Sequence, residues 1–366
     1  MSQDYTFECL ESRLLLAVNA VFVDGVLTIT GDTPLGEEME INGTGPGSVT
    51  VLANLDDDSD LEVVGTFEGV SNIIVNTGAG EDDLVINGLD IFGDLSINTG
   101  GGDDHVQFLG GALGGNLNLQ GGSEDDRIEL DGIGIGGNVL LNLQGGGDGL
   151  DEARIGLNTV IDGDVTFLGE VGDKQLRISD NAIVGGNVTV TTSTGDDRIE
   201  VKDTALVGGN VSVNTGDGDD EIRLTDSATV NGFLKFTTGD GDDEVSIESS
   251  LDPGVVVLGN VSINTGDGDD RVDVRGHVTI DGKLSVNTGA GADRMRTGDN
   301  TSAFTTIIGG NTSISLGDGA DRLELTKTQF HGGLKVNAGG GTDAIVDLGG
   351  FTVAKKIRFR KGELSV

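Results

Sequence analysis

The chain has 366 residues, with 62 acidic against 22 basic side chains and a formal net charge of −40 at pH 7. Such a surface repels phosphates, which excludes nucleic acid as a partner, and it gains nothing from anionic membranes. With 64 Gly, only 3 Pro, no Trp and one Tyr, and with apolar alternation kept up along its length, the chain reads as turn-dense β-structure rather than disorder.

Residues 1–20 read as an export leader. The segment from Phe7 to Ala17 is apolar but short, and acids at Asp4, Glu8 and Glu11 precede or interrupt it, so it is a poor standard signal peptide. Within it, Leu10-Glu11-Ser12-Arg13-Leu14-Leu15-Leu16 closely resembles the leader motif of the LEPR-XLL proteins, exported or surface-associated proteins of planctomycete-type bacteria, with Ser12 in place of Pro. The resemblance implies an exported, extracellular or cell-surface protein. Cys9 is the one cysteine, so no internal disulfide framework is available. It lies before the apolar run, which argues against a lipoprotein. No apolar run reaches the length of a transmembrane helix.

Residues 21–75 contain less regular strands, such as Val26–Thr30 and Ser48–Leu52, and the acid run Asp56-Asp57-Asp58. They are expected to form irregular first coils and an N-terminal cap. Continuous parallel coils are expected from about residue 25 to residue 360.

Across residues 76–350 one aspartate recurs in the same setting: Asp82, Asp104, Asp126, Asp151, Asp173, Asp197, Asp220, Asp243, Asp270, Asp293, Asp321 and Asp343. The spacing, about 24 residues, is that of a solenoid repeat. The fullest copies read Asn-Thr-Gly-Asp-Gly-Asp-Asp-x-Ile/Val, as from Asn214 to Ile222 and from Asn264 to Val272. Gly stands two residues before the aspartate except at Glu124 and Val171, and an apolar side chain stands two residues after it except at Gln175. Upstream, Val211-Ser212-Val213-Asn214 and its counterparts alternate with period two, the mark of a half-buried strand. A second short strand follows the turn, and a Gly-rich corner such as Gly208-Gly209-Asn210 opens the next unit. No unit can form a core alone. The predicted fold is therefore all-β, a parallel β-helix (β-solenoid) of about 12 coils with one Gly/Asp-rich turn per coil. At about 4.8 Å per coil it would be a rod of roughly 60 Å. Asn76, Asn98, Asn214, Asn264, Asn287 and Asn337 share a column in which stacked amides can bond.

The longest gaps place insertions near Ser250–Leu258 and Arg296–Ile308, where solenoids carry recognition elements. In residues 351–366 the bases Lys355, Lys356, Arg358, Arg360 and Lys361 read as a cap that blunts a sheet edge.

Stacked coils bring like charges together. Unit charges about 4.8 Å apart repel by roughly 3–4 kcal/mol at an effective dielectric of 20. Asp219, Asp242 and Asp269 add a second acid column and Asp217, Asp240 and Asp267 a third, partly offset by Arg127, Arg198, Arg271, Arg294 and Arg322. Calcium, which accepts six to eight oxygens including turn carbonyls, is the expected counter-ion. Gly146-Gly147-Asp148-Gly149-Leu150-Asp151-Glu152-Ala153 and Gly216-Asp217-Gly218-Asp219-Asp220-Glu221-Ile222 resemble the haemolysin-type (RTX) calcium repeat. That resemblance implies calcium held between coils by Asp151, Asp220, Asp243 and Asp270. The expected metal-binding set is thus Asp151, Asp217, Asp219, Asp220, Asp240, Asp242, Asp243, Asp267, Asp269 and Asp270. The RTX family has two such turns per coil and this chain one, which suits a wider coil.

The functional expectation is a non-catalytic, exported or cell-surface structural or adhesion solenoid, with calcium and extracellular matrix, polysaccharide or other surface proteins as partners. The alternative is a carbohydrate-active parallel β-helix enzyme, a polysaccharide lyase or hydrolase. Such a site needs converging carboxylates and bases with aromatic subsites. Aromatics are few, and His105, His277 and His331 fall at different offsets from the repeat. A third reading, an ice- or mineral-binding face, would use the aligned Thr77, Thr99, Thr215, Thr238, Thr265 and Thr288, though these make one column only.

Overall fold

A computed structural model describes residues 18–31, 36–54, 60–144, 149–301 and 303–360, with the backbone of 363–365. The leader motif with Cys9 and Tyr5, the run Asp56–Asp58, Gly146–Asp148 and Lys361 lie outside the described residues. The described residues hold strands and turns and no helix.

Each coil has three sides. The alternating run forms the first, for example Val211–Asn214, which pairs in parallel with Val188–Thr191 before it and with Leu234–Asp240 after it. The acidic turn then leads into the second side, as in Glu221–Thr225. A third side of two or three residues, such as Thr229–Val230, closes the triangle. The first sides stack into a 15-stranded sheet. All neighbouring pairs in it are parallel except the first.

Side chains explain the geometry. Val213, Phe236, Ile263 and Val286 from the first sides and Ile222, Val245 and Val272 from the second are buried, as their alternation predicts. The third side was not legible, because two apolar residues such as Val184 or Val207 carry no period; it supplies Ala182, Val184, Ala205, Val207, Ala228 and Val230 to the same core. Between the second and third sides the chain turns through left-handed residues, Asn158, Asn181, Asp203 and Asp226 among them, residue types that bond their own backbone and tolerate positive φ.

Parallel stacking does not extend unbroken from residue 25. Asn19–Val23 pairs antiparallel with Val26–Thr30, and Glu38–Gly45, Ser48–Ala53 and Glu62–Glu68 form an antiparallel meander. Val26–Thr30 and Glu38–Gly45 nevertheless join the parallel stacks, against Asn72–Ala79 and Asp83–Ile91. The extra antiparallel strands occupy an end where no earlier coil supplies partners, and short extra strands protect an edge.

Candidate functional site: the acidic edge

The turn between first and second sides is best seen in Asn264–Val272. Thr265 points inward and is fully buried. Gly266 and Gly268 hold φ near +105° and +146°, a region glycine enters without Cβ strain. Asp267 and Asp269 face solvent, and Asp270 turns back into the interior at 1 % exposure. The recurring aspartate therefore forms a buried column beneath the edge. Asp82, Asp104, Asp126, Asp151, Asp197, Asp220, Asp243, Asp270, Asp293 and Asp321 are all no more than 3 % exposed.

Register corrects one member. Asp151 pairs with Lys174, not Asp173. The Lys174 backbone N–H donates to Asp197 Oδ1 at 2.7 Å, as an aspartate would in that place. Asp173 belongs to the outer acids, accepting the Asp196 N–H at 2.8 Å. The two irregularities at Val171 and Gln175 were the available signal. With Lys174 as reference, Gly172 and Leu176 restore the pattern. Lys174 is 1 % exposed. Its ammonium lies 3.0 Å from Asp151 Oδ2 and donates to the Val171 carbonyl at 2.6 Å.

Two ladders run along the edge in opposite senses. In the inner column the N–H of each coil donates to Oδ1 of the following coil: Asp197 to Asp220, Asp220 to Asp243 and Asp243 to Asp270, at 2.9–3.0 Å. In the outer column the N–H of the later coil donates to Oδ1 of the earlier one: Asp219 to Asp196, Asp242 to Asp219 and Asp269 to Asp242, at 2.7–2.9 Å. Asp217, Asp240 and Asp267 stand further out, with Asp240 and Asp267 in register on adjacent strands.

The second carboxylate oxygen of the inner acids meets threonine. Thr77, Thr192, Thr238 and Thr265 bond to Oδ2 of Asp82, Asp197, Asp243 and Asp270. The threonine column is thus internal and forms no ice-binding face. Oδ2 of Asp104, Asp126, Asp220, Asp293 and Asp321 is buried without a hydrogen-bond partner. Burial is the leading cause that raises these acids, with like charges in adjacent coils adding to it. Asp104, Asp197, Asp243 and Asp321 are pushed up to about 6, Asp220 and Asp270 to about 7, and Asp126 to about 8.

The arginines after the aspartates do not neutralise the column. They turn outward on the second sheet and clamp a second set of acids. Glu129 is held by Arg127 and Arg154, Glu200 by Arg177 and Arg198, and Glu324 by Arg294 and Arg322. Asp273, fully buried, is held by Arg271, Arg275 and Arg296. Burial acts to raise these four acids, but the guanidiniums outweigh it and hold each below the usual carboxylate range.

For the expected calcium set the structure makes a division. Asp151, Asp220, Asp243 and Asp270 do not fit a metal shell: Oδ1 of each accepts a neighbouring coil's N–H, and the side chain is closed in by threonine, lysine or its column neighbours. Asp217, Asp219, Asp240, Asp242, Asp267 and Asp269 are exposed, with carboxylate oxygen free for a hydrated cation. Among the described residues no three His, Cys, Asp or Glu side chains converge as a preformed metal site.

The stacked amides predicted at Asn264 and Asn287 are present, Asn287 Nδ2 donating to Asn264 Oδ1 at 2.7 Å. The longer amide ladder lies at the Gly-Gly-Asn corner, where Asn138, Asp164, Asn187, Asn210 and Phe233 each donate a backbone N–H to the preceding coil's side chain. The two insertions meet at His277, whose Nδ1 lies 2.8 Å from the Leu251 carbonyl and whose ring stacks on Phe304 at 4.4 Å. An adjacent cleft is lined by Asp226, Glu248, Arg275 and Asp299. His105 lies far along the stack beside Asp83. Among the described residues no helix is long and apolar enough to cross a membrane. Compared with known protein families and curated proteins, the chain matches no family model and no curated sequence.

Proposed function

We propose that the protein is an exported structural or adhesion rod that lies along a neutral surface polysaccharide through the outer face of its first sheet. The observation that carries this reading is the absence of acids from the two outward columns of that face. Outward positions run in two columns, such as Ser96 and Asn98, Thr189 and Thr191, Ser212 and Asn214, Ser262 and Asn264, and Ser285 and Asn287, in strand register. Among the described residues these two columns hold no acid from Ile74 to Asn337, although the chain carries 62 acids, and the exposed Asp240 and Asp267 that end two of the strands belong to the acidic edge. The exceptions to small polar groups are Ile74, Leu140 and Leu168, which are apolar, and Lys235 and Lys335, which are basic. Hydroxyls and amides repeated about every 4.8 Å present hydrogen-bond donors and acceptors to a long uncharged chain without desolvating a charge. Export rests on the leader-like segment. Calcium belongs to the reading as a counter-ion for the outward acids Asp217, Asp219, Asp240, Asp242, Asp267 and Asp269, whose mutual repulsion a divalent ion relieves.

The test is retention on insoluble neutral polysaccharides, with Ser212→Glu, Ser262→Glu and Ser285→Glu combined. Loss of retention with an unchanged melting temperature is expected, and equal retention overturns the adhesive face. Melting in calcium and in sodium at matched ionic strength tests the counter-ion separately; equal shifts would leave only screening. A second reading, catalysis on polysaccharide, is favoured by one observation alone, the cleft between the insertions with Glu248 and Arg275 beside His277. Depolymerisation by the intact protein, lost on Arg275→Ala, would establish it.

A further inference from the structure

The inner column poses a problem in proton counting. Thr99 Oγ1 donates to the Gly121 carbonyl of the next coil at 2.5 Å, and a hydroxyl has one proton to give. Asp104 Oδ2, five residues on, is therefore buried with no donor, while Asp104 Oδ1 accepts the Asp82 N–H at 2.9 Å. The coil around Asp293 repeats this arrangement. Thr288 donates to the Leu316 carbonyl at 2.7 Å, Asp293 Oδ2 is unpartnered, and Oδ1 accepts the Asp270 N–H at 3.0 Å. Leaving a buried carboxylate oxygen without a donor is costly, more so than for a neutral acceptor.

We propose that Asp104 and Asp293 are neutral carboxylic acids in the folded rod at pH 5.5, where exposed carboxyl groups are already ionised, each Oδ2–H donating to the threonine hydroxyl of its own coil. One added proton satisfies every polar atom: acid to hydroxyl, hydroxyl to carbonyl, backbone N–H to the remaining acid oxygen. Thr99 and Thr288 are the hydroxyl side chains beside the carboxyl groups of Asp104 and Asp293. No base competes for the proton's place. The charged groups facing Asp104 are Asp82 and Asp126 in its column and Asp103 outside it. Those facing Asp293 are Asp270, Asp321 and Asp269, while the neighbouring Arg294 turns away to Glu324. Burial raises both acids, in keeping with this geometry. The inner column is in this respect a proton site where the sequence suggested a metal site, and the inference does not depend on calcium at the outward acids.

Infrared spectroscopy of the full-length protein at pH 5.5 tests it, using the C=O absorption of protonated carboxyl groups, which ionised carboxylates lack. The folded protein is expected to show this band, and Asp104→Asn with Asp293→Asn is expected to reduce it while leaving circular dichroism unchanged. Asparagine reproduces the neutral acid, its amide N–H donating to threonine and its carbonyl accepting the neighbour's N–H. The melting temperature of the double variant at pH 5.5 should equal or exceed that of the parent. Absence of the band in the folded parent, or a band unchanged in the folded variant, overturns the proposal. So does a variant that fails to fold at pH 5.5, because a site built for a neutral acid accepts the amide.

Discussion

At the scale of single residues, Lys174 shows what the interior of the edge tolerates. Its ammonium sits where the other coils place a carboxyl group, compensating Asp151 and bonding a turn carbonyl. Removing one partner of a buried pair leaves an uncompensated charge, a loss of about 3–5 kcal/mol. Lys174→Met is expected to lose that much in urea denaturation at pH 7. Adding Asp151→Asn should recover most of it. A single-variant loss below about 1 kcal/mol would mean that the pair carries no structural weight. The column itself was legible from the sequence, since glycine before and an apolar residue after mark each aspartate. Burial was not legible. Asp219 and Asp220 are chemically identical neighbours, and only the pleat decides which faces water.

At the scale of the repeating element, the glycines of the edge are set by contact between coils as much as by φ. A Cβ on Gly239 would lie 1.7 Å from the Gly216 carbonyl oxygen, and its φ is +118°. At Gly134, on a third side, the nearest atom would be the Gly111 carbonyl oxygen at 3.9 Å. Gly239→Ala should therefore destabilise by more than about 2 kcal/mol, combining overpacking with backbone strain. Gly134→Ala should stay within about 0.5 kcal/mol. Equal effects on chemical denaturation would show that the coils spread apart to admit the methyl group. The first two sides of each coil were readable because alternation over four or more residues has a period. The third side is too short for one, and the Arg–Glu clamps escaped because their partners are two residues or one coil apart.

For the molecule as a whole, two sets of acids bound the pH range of greatest stability. Asp104 and Asp126, held up to about 6 and 8, keep protons in the fold that the unfolded chain releases near pH 4. Their contribution is complete below about pH 4 and is lost as pH rises through about 6 to 8. The arginine-clamped Glu129, Glu200, Asp273 and Glu324 are held below their ordinary range. Their contribution is present above about pH 4.5 and is lost as pH falls below it. Thermal melting is therefore expected to peak between about pH 4 and 6 and to fall toward pH 8. A melting temperature still rising from pH 6 to 8 would contradict the assignment.

The opposed inner and outer ladders also bear on how such a chain changes length through descent. Where a coil keeps both acids it hands its neighbour one donor and one acceptor, so such coils are chemically interchangeable along the ladders. Asp197, Asp220 and Asp243 follow one another at intervals of 23 residues along the inner ladder. Gain or loss of one whole interval leaves both ladders closed, whereas gain or loss of a single residue at the turn throws inner acids outward and outer acids inward. Recombination between similar stretches of the coding sequence would therefore pass through selection only in whole coils. The rod's length is heritable in steps, and its reach can be lengthened or shortened without redesigning either end.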